Sequence, residues 1–250
     1  MNAEELDNLF FEPSFESSDS EDADSAAQIL ARTSKFSRRP QRFTPQFDAL
    51  VDRQERVHTF FGVRVALEWT LNGRLWDSSV VLVRHLLAMR SDWTGVNVLE
   101  LGSGVGLVGI VLAKHGASVT MTELAETLPR LRHNVALNDS TADVKELAWS
   151  ATQPPAGEFT SRHWDFVIAA DCLLPYDPPL LFALAATIGF VSAPATSVLI
   201  VFEERFDVSA FFAIAARDFV VTHVPADEWQ RDDAEREPAI KLVQMQQRSV

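Results

Sequence analysis

The stretch Val98-Leu99-Glu100-Leu101-Gly102-Ser103-Gly104-Val105-Gly106 decides how the chain is read. A short apolar run passes straight into a glycine-rich turn, and an apolar run of helical length follows, closed by Gly116. Glycines let the backbone turn sharply and let a ligand approach closely, so strand, glycine turn and helix together point to a ligand site on an open α/β sheet. The dinucleotide fingerprint is G-x-G-x-x-G. Here the third glycine comes one position early, at Gly106, and an acid, Glu100, stands two residues before Gly102. A pyrophosphate favours a helix N-terminus and nearby positive charge. S-adenosylmethionine has no phosphate and carries a sulfonium and an ammonium. The spacing and Glu100 therefore suit adenosylmethionine better than a dinucleotide, which disfavours an oxidoreductase.

Outward from this loop, strands and helices alternate. Strands are expected at 96–101, 118–122, 144–149, 164–170, 197–202, 219–224 and 239–244, and helices at 105–115, 124–137, 179–190 and 208–217. Upstream, 57–67 reads as a hairpin with Gly62 near its turn, and 77–89 as a helix that Asp77 or Ser78 can cap. Alternation predicts an α/β fold: a Rossmann-like, mostly parallel sheet with helices on both faces. The last two strands are joined by a polar loop without a helix, which predicts one antiparallel edge hairpin. The globular domain is expected over 46–250, with the hairpin and first helix in 46–90 and the Rossmann-like core in 91–250.

Residues 1–45 are expected to be a disordered tail. Residues 1–31 hold nine acidic side chains and no basic one, after which Arg32, Lys35, Arg38, Arg39 and Arg42 follow without an acid. A solvated tail and a docking or phosphorylation segment containing Phe10, Phe11 and Phe15 are the two readings of it.

Composition bounds the partners. Of 250 residues, 22 are lysine or arginine and 35 are acidic, a formal net charge of −13. A broadly basic nucleic-acid footprint is absent, so no nucleic-acid partner is expected. No apolar run approaches the roughly 18 residues of a membrane span, and the acidic N-terminus is no secretory signal. The single cysteine, Cys172, builds neither a disulfide nor a CxxC site, and the six histidines show no metal spacing. A cytosolic or nuclear monomer without metal is expected.

Strand ends supply the candidate site. Glu123 lies 21 residues after Gly102 and can accept hydrogen bonds from ribose hydroxyls; a plain helix-start acid is the alternative. Trp149 follows the third strand, near an adenine or in the core. Asp171 ends the fourth strand after Ala169-Ala170 and faces the ligand crevice or caps the next helix, although Pro178 and Pro179 place that start several residues later. Cys172 beside it reads as a buried small hydrophobe rather than a reactive thiol.

Several segments together resemble the seven-strand methyltransferases, specifically the small protein-lysine methyltransferases of methyltransferase group 16 (methyltransferase-like 21). They are Leu75-Trp76-Asp77-Ser78-Ser79, the glycine loop through Gly109, Thr122-Glu123-Leu124, Asn134-Val135-Ala136-Leu137-Asn138, Leu147-Ala148-Trp149, Phe202-Glu203-Glu204-Arg205 and Phe211-Phe212. The resemblance covers about residues 57 to 246. It implies a seven-stranded fold and S-adenosyl-L-methionine as cofactor, held by Trp76, Glu100, Gly102, Ser103, Gly104, Gly106, Glu123, Trp149 and Ala170. It also implies methyl transfer to a lysine of a protein substrate. Members of the group modify chaperones, translation elongation factors and a AAA ATPase, so a partner of that kind is implied.

One departure bears on the substrate. The family's Asp-x-x-Tyr segment reads Asp171-Cys172-Leu173-Leu174 here, and Tyr176, the only tyrosine, lies two positions on. A lysine acceptor must lose its proton from a pKa near 10.4. A nearby carboxylate favours the charged amine, so the role expected of Asp171 is to orient the amine by hydrogen bonding. Leu174, Tyr176 and Phe202 are the candidates for an apolar channel around the lysine stem. Glu203 and Arg205 position that wall, contact the substrate, or simply pair with each other. A methyltransferase for histidine or a small molecule, and a non-catalytic cofactor-binding module, remain the alternatives.

Overall fold

The computed structural model describes residues 56–67, 73–174, 178–225 and 239–248. In chain order the elements begin with the hairpin β1 (Arg56–Phe60) and β2 (Val63–Leu67), then α1 (Asp77–Met89), β3 (Asn97–Leu101) and α2 (Leu107–Lys114). Next come β4 (Ser118–Glu123), α3 (Leu128–Leu137), β5 (Asp143–Glu146), the one-turn α4 (Gly157–Thr160) and β6 (Phe166–Ala170). The chain continues through α5 (Pro178–Val191), β7 (Ser197–Glu203), α6 (Ser209–Asp218), β8 (Phe219–Val224) and β9 (Ile240–Gln247).

Strand β3 is the axis of the fold. Its side chains alternate, Val98 entering one core and Leu99 and Leu101 the other, as an extended chain requires. Strands β4 and β6 flank it in parallel, and the seven-stranded order is β5-β4-β3-β6-β7-β9-β8. Only β9 runs against the rest, antiparallel to both β7 and β8. This is the expected mostly parallel sheet with one antiparallel hairpin at its edge. Leu82 and Leu86 of α1, Ile110 of α2 and Leu131 of α3 pack on one face, and Leu184 of α5 and Phe211 of α6 on the other. The chain runs outward from β3 to β5, then returns to β6 and proceeds to the opposite edge. That reversal opens a crevice beyond the carboxyl ends of β3 and β6, the place where open α/β sheets bind ligands.

The N-terminal hairpin turns through Phe61 (φ 50°) and Gly62 (φ 71°), two left-handed residues whose twist matches the flanking strands. It is fastened to α3 by two asparagines. The buried Asn134 accepts from the Ala66 N–H (2.8 Å) and donates to the carbonyls of Val105 (2.8 Å) and Ala66 (3.3 Å). One helical turn on, Asn138 accepts from the Arg64 N–H (2.8 Å) and donates to the Arg64 carbonyl (2.6 Å). Each side-chain amide stands where a neighbouring strand's peptide would, so β2 is partnered by a helix on its open edge.

Some local expectations are corrected. Neither Asp77 nor Ser78 caps α1; the N-cap position is Trp76, and Ser78 is turned into the core with its hydroxyl unpartnered among the described residues. Helix α3 starts at Leu128 rather than 124, beside Pro129, whose ring suits a first turn. Strand β5 ends at Glu146, three residues early; Leu147 still donates to the Glu123 carbonyl (3.0 Å), and Leu147 and Trp149 line the crevice. A single helical turn, α4, forms where a loop was expected. The tail 1–45 and Tyr176 lie outside the described residues.

Candidate active site

The glycine turn after β3 adopts left-handed backbone at Gly102 (φ 64°), Gly104 (φ 54°) and Gly106 (φ 86°). A Cβ on Gly106 would lie 2.6 Å from side-chain carbons of Leu131 and Met121, so this glycine serves close packing of the loop on β4 and α3. A Cβ on Gly102 would lie 2.7 Å from the Cys172 sulfur and 3.2 Å from the Trp149 ring. The missing side chain thus leaves a cradle in the crevice floor. The turn is held to the next strand by the Ser103 N–H on the Thr122 carbonyl (3.0 Å) and the Gly104 N–H on Glu123 Oε1 (3.1 Å). Glu123 Oε2 accepts from the Leu124 N–H (2.7 Å). Burial pushes the Glu123 carboxyl above its ordinary pKa, and these two N–H groups oppose the rise.

The crevice brings together Trp76, Gly102, Ser103, Gly104, Glu123, Trp149, Ala170, Asp171 and Leu174, all expected from the sequence. It adds residues the sequence reading missed: Arg74, Ser79, Val105, Leu124, Leu147, Cys172 and Leu180. Leu124 and Leu147 adjoin strand-end residues that were recognised, so their position carried a signal. Arg74 sits in the segment before α1, where no periodicity marks it.

Glu100 is corrected. It is buried at 3 % exposure on the α2 side of β3, where Oε2 accepts from the Gly109 N–H (3.1 Å), and it does not line the crevice. Burial raises its pKa from 4.5 to about 8, only partly opposed by the neighbouring Ser103 hydroxyl and the Gly109 N–H. The Ser103 hydroxyl lies near enough to favour the charged form, yet is outside hydrogen-bond geometry with any described partner. Phe202 is corrected too: it is 3 % exposed in the core under α6, its ring 5.7 Å from that of Phe212, and it forms no channel wall. Gly106 supports the loop from below without lining the crevice.

Asp171 is the most constrained residue of the site. Its backbone is left-handed (φ 56°), a conformation that aspartate tolerates better than most residues. Its N–H donates to the Val201 carbonyl (2.8 Å). Oδ1 accepts from the Glu203 N–H (3.2 Å) and Oδ2 from Arg205 (2.9 Å), with only 4 % of the side chain exposed. Arg205 also donates from Nε to Glu203 (2.8 Å). Glu203 and Arg205 therefore do pair with each other, and they hold Asp171 as well. Burial pushes the Asp171 carboxyl up, while the Arg205 guanidinium and the Glu203 N–H pull it down. Trp76 lies beside this cluster, with the guanidinium of Arg74 4.4 Å and that of Arg205 4.9 Å from its ring. The Cys172 thiol donates to the Leu101 carbonyl (3.3 Å), and burial holds it well above its ordinary pKa, which leaves it a packing group.

The strand order, the single reversed strand and the crevice above a glycine turn define a Rossmann-like methyltransferase fold. Residues 66–218 match the family model described as lysine methyltransferase, and the chain belongs to that family. It is 32 % identical over 130 residues to EEF1A lysine methyltransferase 3 of Xenopus tropicalis, covering 50 % of this chain and 55 % of that protein. With protein N-lysine methyltransferase METTL21A of Danio rerio it shares 33 % identity over 182 residues, 68 % of this chain and 79 % of that one. Protein-lysine methyltransferase METTL21E of Bos taurus is 34 % identical over 140 residues, 53 % of this chain and 48 % of the relative. The chain thus spans about half the length of the first and last of these relatives. Among solved structures, the 16S rRNA N2 G1207 methyltransferase of T. thermophilus superimposes with a TM-score of 0.55 at 15 % identity, over 78 % of this chain and 50 % of that one. The PH0226 protein of Pyrococcus horikoshii gives 0.54 at 14 % identity, over 72 % and 95 %. At such identity these two bear on the fold alone.

Proposed function

We propose that the chain is an S-adenosylmethionine-dependent methyltransferase that acts on a lysine side chain of a protein substrate. The observation that carries the reading is one crevice, at the reversal of strand order, that gathers the glycine turn, Glu123, Trp149 and the Ala170-Asp171 strand end around Trp76. The residues fit the cofactor: the Gly102 cradle admits close approach, and Glu123 presents a carboxylate with lone pairs to spare for ribose hydroxyls. Trp149 and Leu147 offer an apolar surface at the β5 end for an adenine. Bound there, the cofactor supplies a methyl group on an electrophilic sulfonium sulfur.

The chain's own part is positioning. Asp171 stands at the crevice and orients the acceptor, with Arg205 and Glu203 fixing its carboxyl. Leu174 presents an apolar wall to the acceptor's stem. The half-buried site favours a neutral amine over an ammonium, and the Arg205 charge offsets the opposite bias of Asp171. Such alignment of donor and acceptor is the main requirement of a methyl transfer. Two of the relatives are named for a protein lysine and one for EEF1A, which supports a protein substrate; the translation-factor kind is the class we propose.

The test is tritium transfer from labelled adenosylmethionine into proteins of an unmethylated lysate, comparing the full chain with Asp171→Asn. Asparagine also tolerates the left-handed backbone, but its amide nitrogen must face either Arg205 or the Glu203 N–H, so the variant's melting temperature and its S-adenosylhomocysteine binding are measured beside the transfer. One labelled protein band that the variant fails to produce, with the label recovered as methyl-lysine, is expected. Label in methyl-histidine or in a small molecule would overturn the lysine assignment.

A further inference from the structure

We propose that the basic face formed by the hairpin, α2 and α3 is a docking surface for the chain's own acidic run at 4–24. Strands β1 and β2, with the helices α2 and α3 that pack against β2, hold Arg64, Lys114, Arg130 and Arg132 together with His58 and His133, and not one acid. The whole chain, by contrast, has 35 acids against 22 lysines and arginines. Arg64, Lys114 and Arg132 are exposed, and the acids nearest to α3 along the chain, Glu126 and Asp139, stand beyond its two ends. Arg64 and Lys114 donate to the carbonyls of Leu137 and Gly62, and neither pairs with a carboxylate among the described residues. Apolar side chains accompany the charge: Val57 is 48 % and Phe61 40 % exposed. Among the described residues β1 pairs with β2 alone, which leaves its outer edge open.

The occupant follows from charge and from where the chain enters the domain. The run at 4–24 carries nine acids and no base, with Phe10, Phe11 and Phe15 among them, so it matches the face both in charge and in apolar side chains. The first strand starts at Arg56, so the chain preceding it joins the domain at this face. The 31 residues between Asp24 and Arg56 have a contour of up to about 100 Å, against about 15 Å for the length of α3. The contact is therefore intramolecular, an advantage that an acidic partner in solution lacks. Single exposed ion pairs are weak, and several acting through one tethered segment are what such a face requires. The five bases within 32–42 are repelled by the face, and they leave at least four of the nine acids unmatched. Asn134 bonds both the Ala66 N–H in β2 and the Val105 carbonyl in the glycine turn, so a segment seated here borders the crevice.

Zero-length carbodiimide coupling on the full chain is the test, since it joins only amines and carboxylates in direct contact. The amine probes are Lys114 and, in an Arg64→Lys/Arg132→Lys variant that keeps the charge, both substituted positions; the variant's melting temperature reports its folding. Mass spectrometry of the monomer should show links from these positions to carboxylates within 4–24, with a yield unchanged on dilution. The links should be lost at about 1 M salt, where screening acts beyond about 3 Å. They should be lost as well in a chain whose nine acids are changed to the corresponding amides. Links from those acids to Lys35 alone would overturn the proposal and pair the run with 32–42 instead. Links found only in dimers would assign the run of a second copy and overturn the intramolecular contact. No link to the face, in the wild type and in the folded lysine variant alike, overturns the proposal and leaves the face to a separate acidic partner.

Discussion

Replacing Glu100 with glutamine keeps an oxygen for the Gly109 N–H and removes the ionisable group from beneath the glycine turn. In the folded chain the acid holds its proton to about pH 8, against an ordinary value of 4.5. Between those values the folded state retains a proton that the unfolded state has released. Wild-type stability therefore falls as pH rises through this window, with a slope of up to about 1.4 kcal/mol per pH unit. Glutamine contributes no such slope. From pH 5 to pH 8 the variant should gain on the wild type by about 4 kcal/mol, an order-of-magnitude figure. Urea unfolding of both proteins at pH 5, 6, 7 and 8 reads the difference directly, since Glu123 and Asp171 titrate in both. Parallel stability profiles would refute the placement of a protonated acid under the loop.

Three more perturbations probe the frame of the site. Asn134→Leu strips partners from the buried Ala66 N–H and Val105 carbonyl and should cost about 3 kcal/mol in chemical denaturation, whereas the more exposed Asn138→Ala should cost about 1 kcal/mol. Gly102→Ala forces a Cβ against the Cys172 sulfur in left-handed backbone; Cys172→Ala should recover part of that loss of stability, seen as a positive coupling in a double-mutant cycle of thermal unfolding. Asp171→Ala should lower the melting temperature more than Asp171→Asn, because alanine carries the left-handed strain that asparagine tolerates.

What the sequence conveyed was local. Short apolar runs ending in glycine or acid marked the strands, and Gly102, Glu123 and Asp171 fell where strand ends meet the crevice. Glu100 was misread because an acid beside a glycine loop looks like a ligand contact. Its burial comes from helices covering both faces of β3, and the hint was its alternation with Leu99 and Leu101, which point the other way. Phe202 was misread for the same reason: its face of β7 is sealed by Phe212 of α6. Arg74 gave no sign, since its place at the crevice depends on Trp76 and the strand ends meeting in three dimensions. The Asn134–Asn138 segment stood out as a motif, but its partners lie in β2, 68 to 74 residues earlier.

Those two asparagines also act as a ruler. Four residues of helix advance about 6 Å, and two residues of strand about 6.7 Å. Asn134 and Asn138 therefore match the spacing of Ala66 and Arg64, with helix and strand running in opposite directions. A two-stranded ribbon is marginal alone, and sliding it by one residue would turn every side chain to the wrong face. The graduations meet at one alignment only. Because Asn134 also grips the Val105 carbonyl in the glycine turn, a hairpin seated one notch off would be registered at the crevice itself.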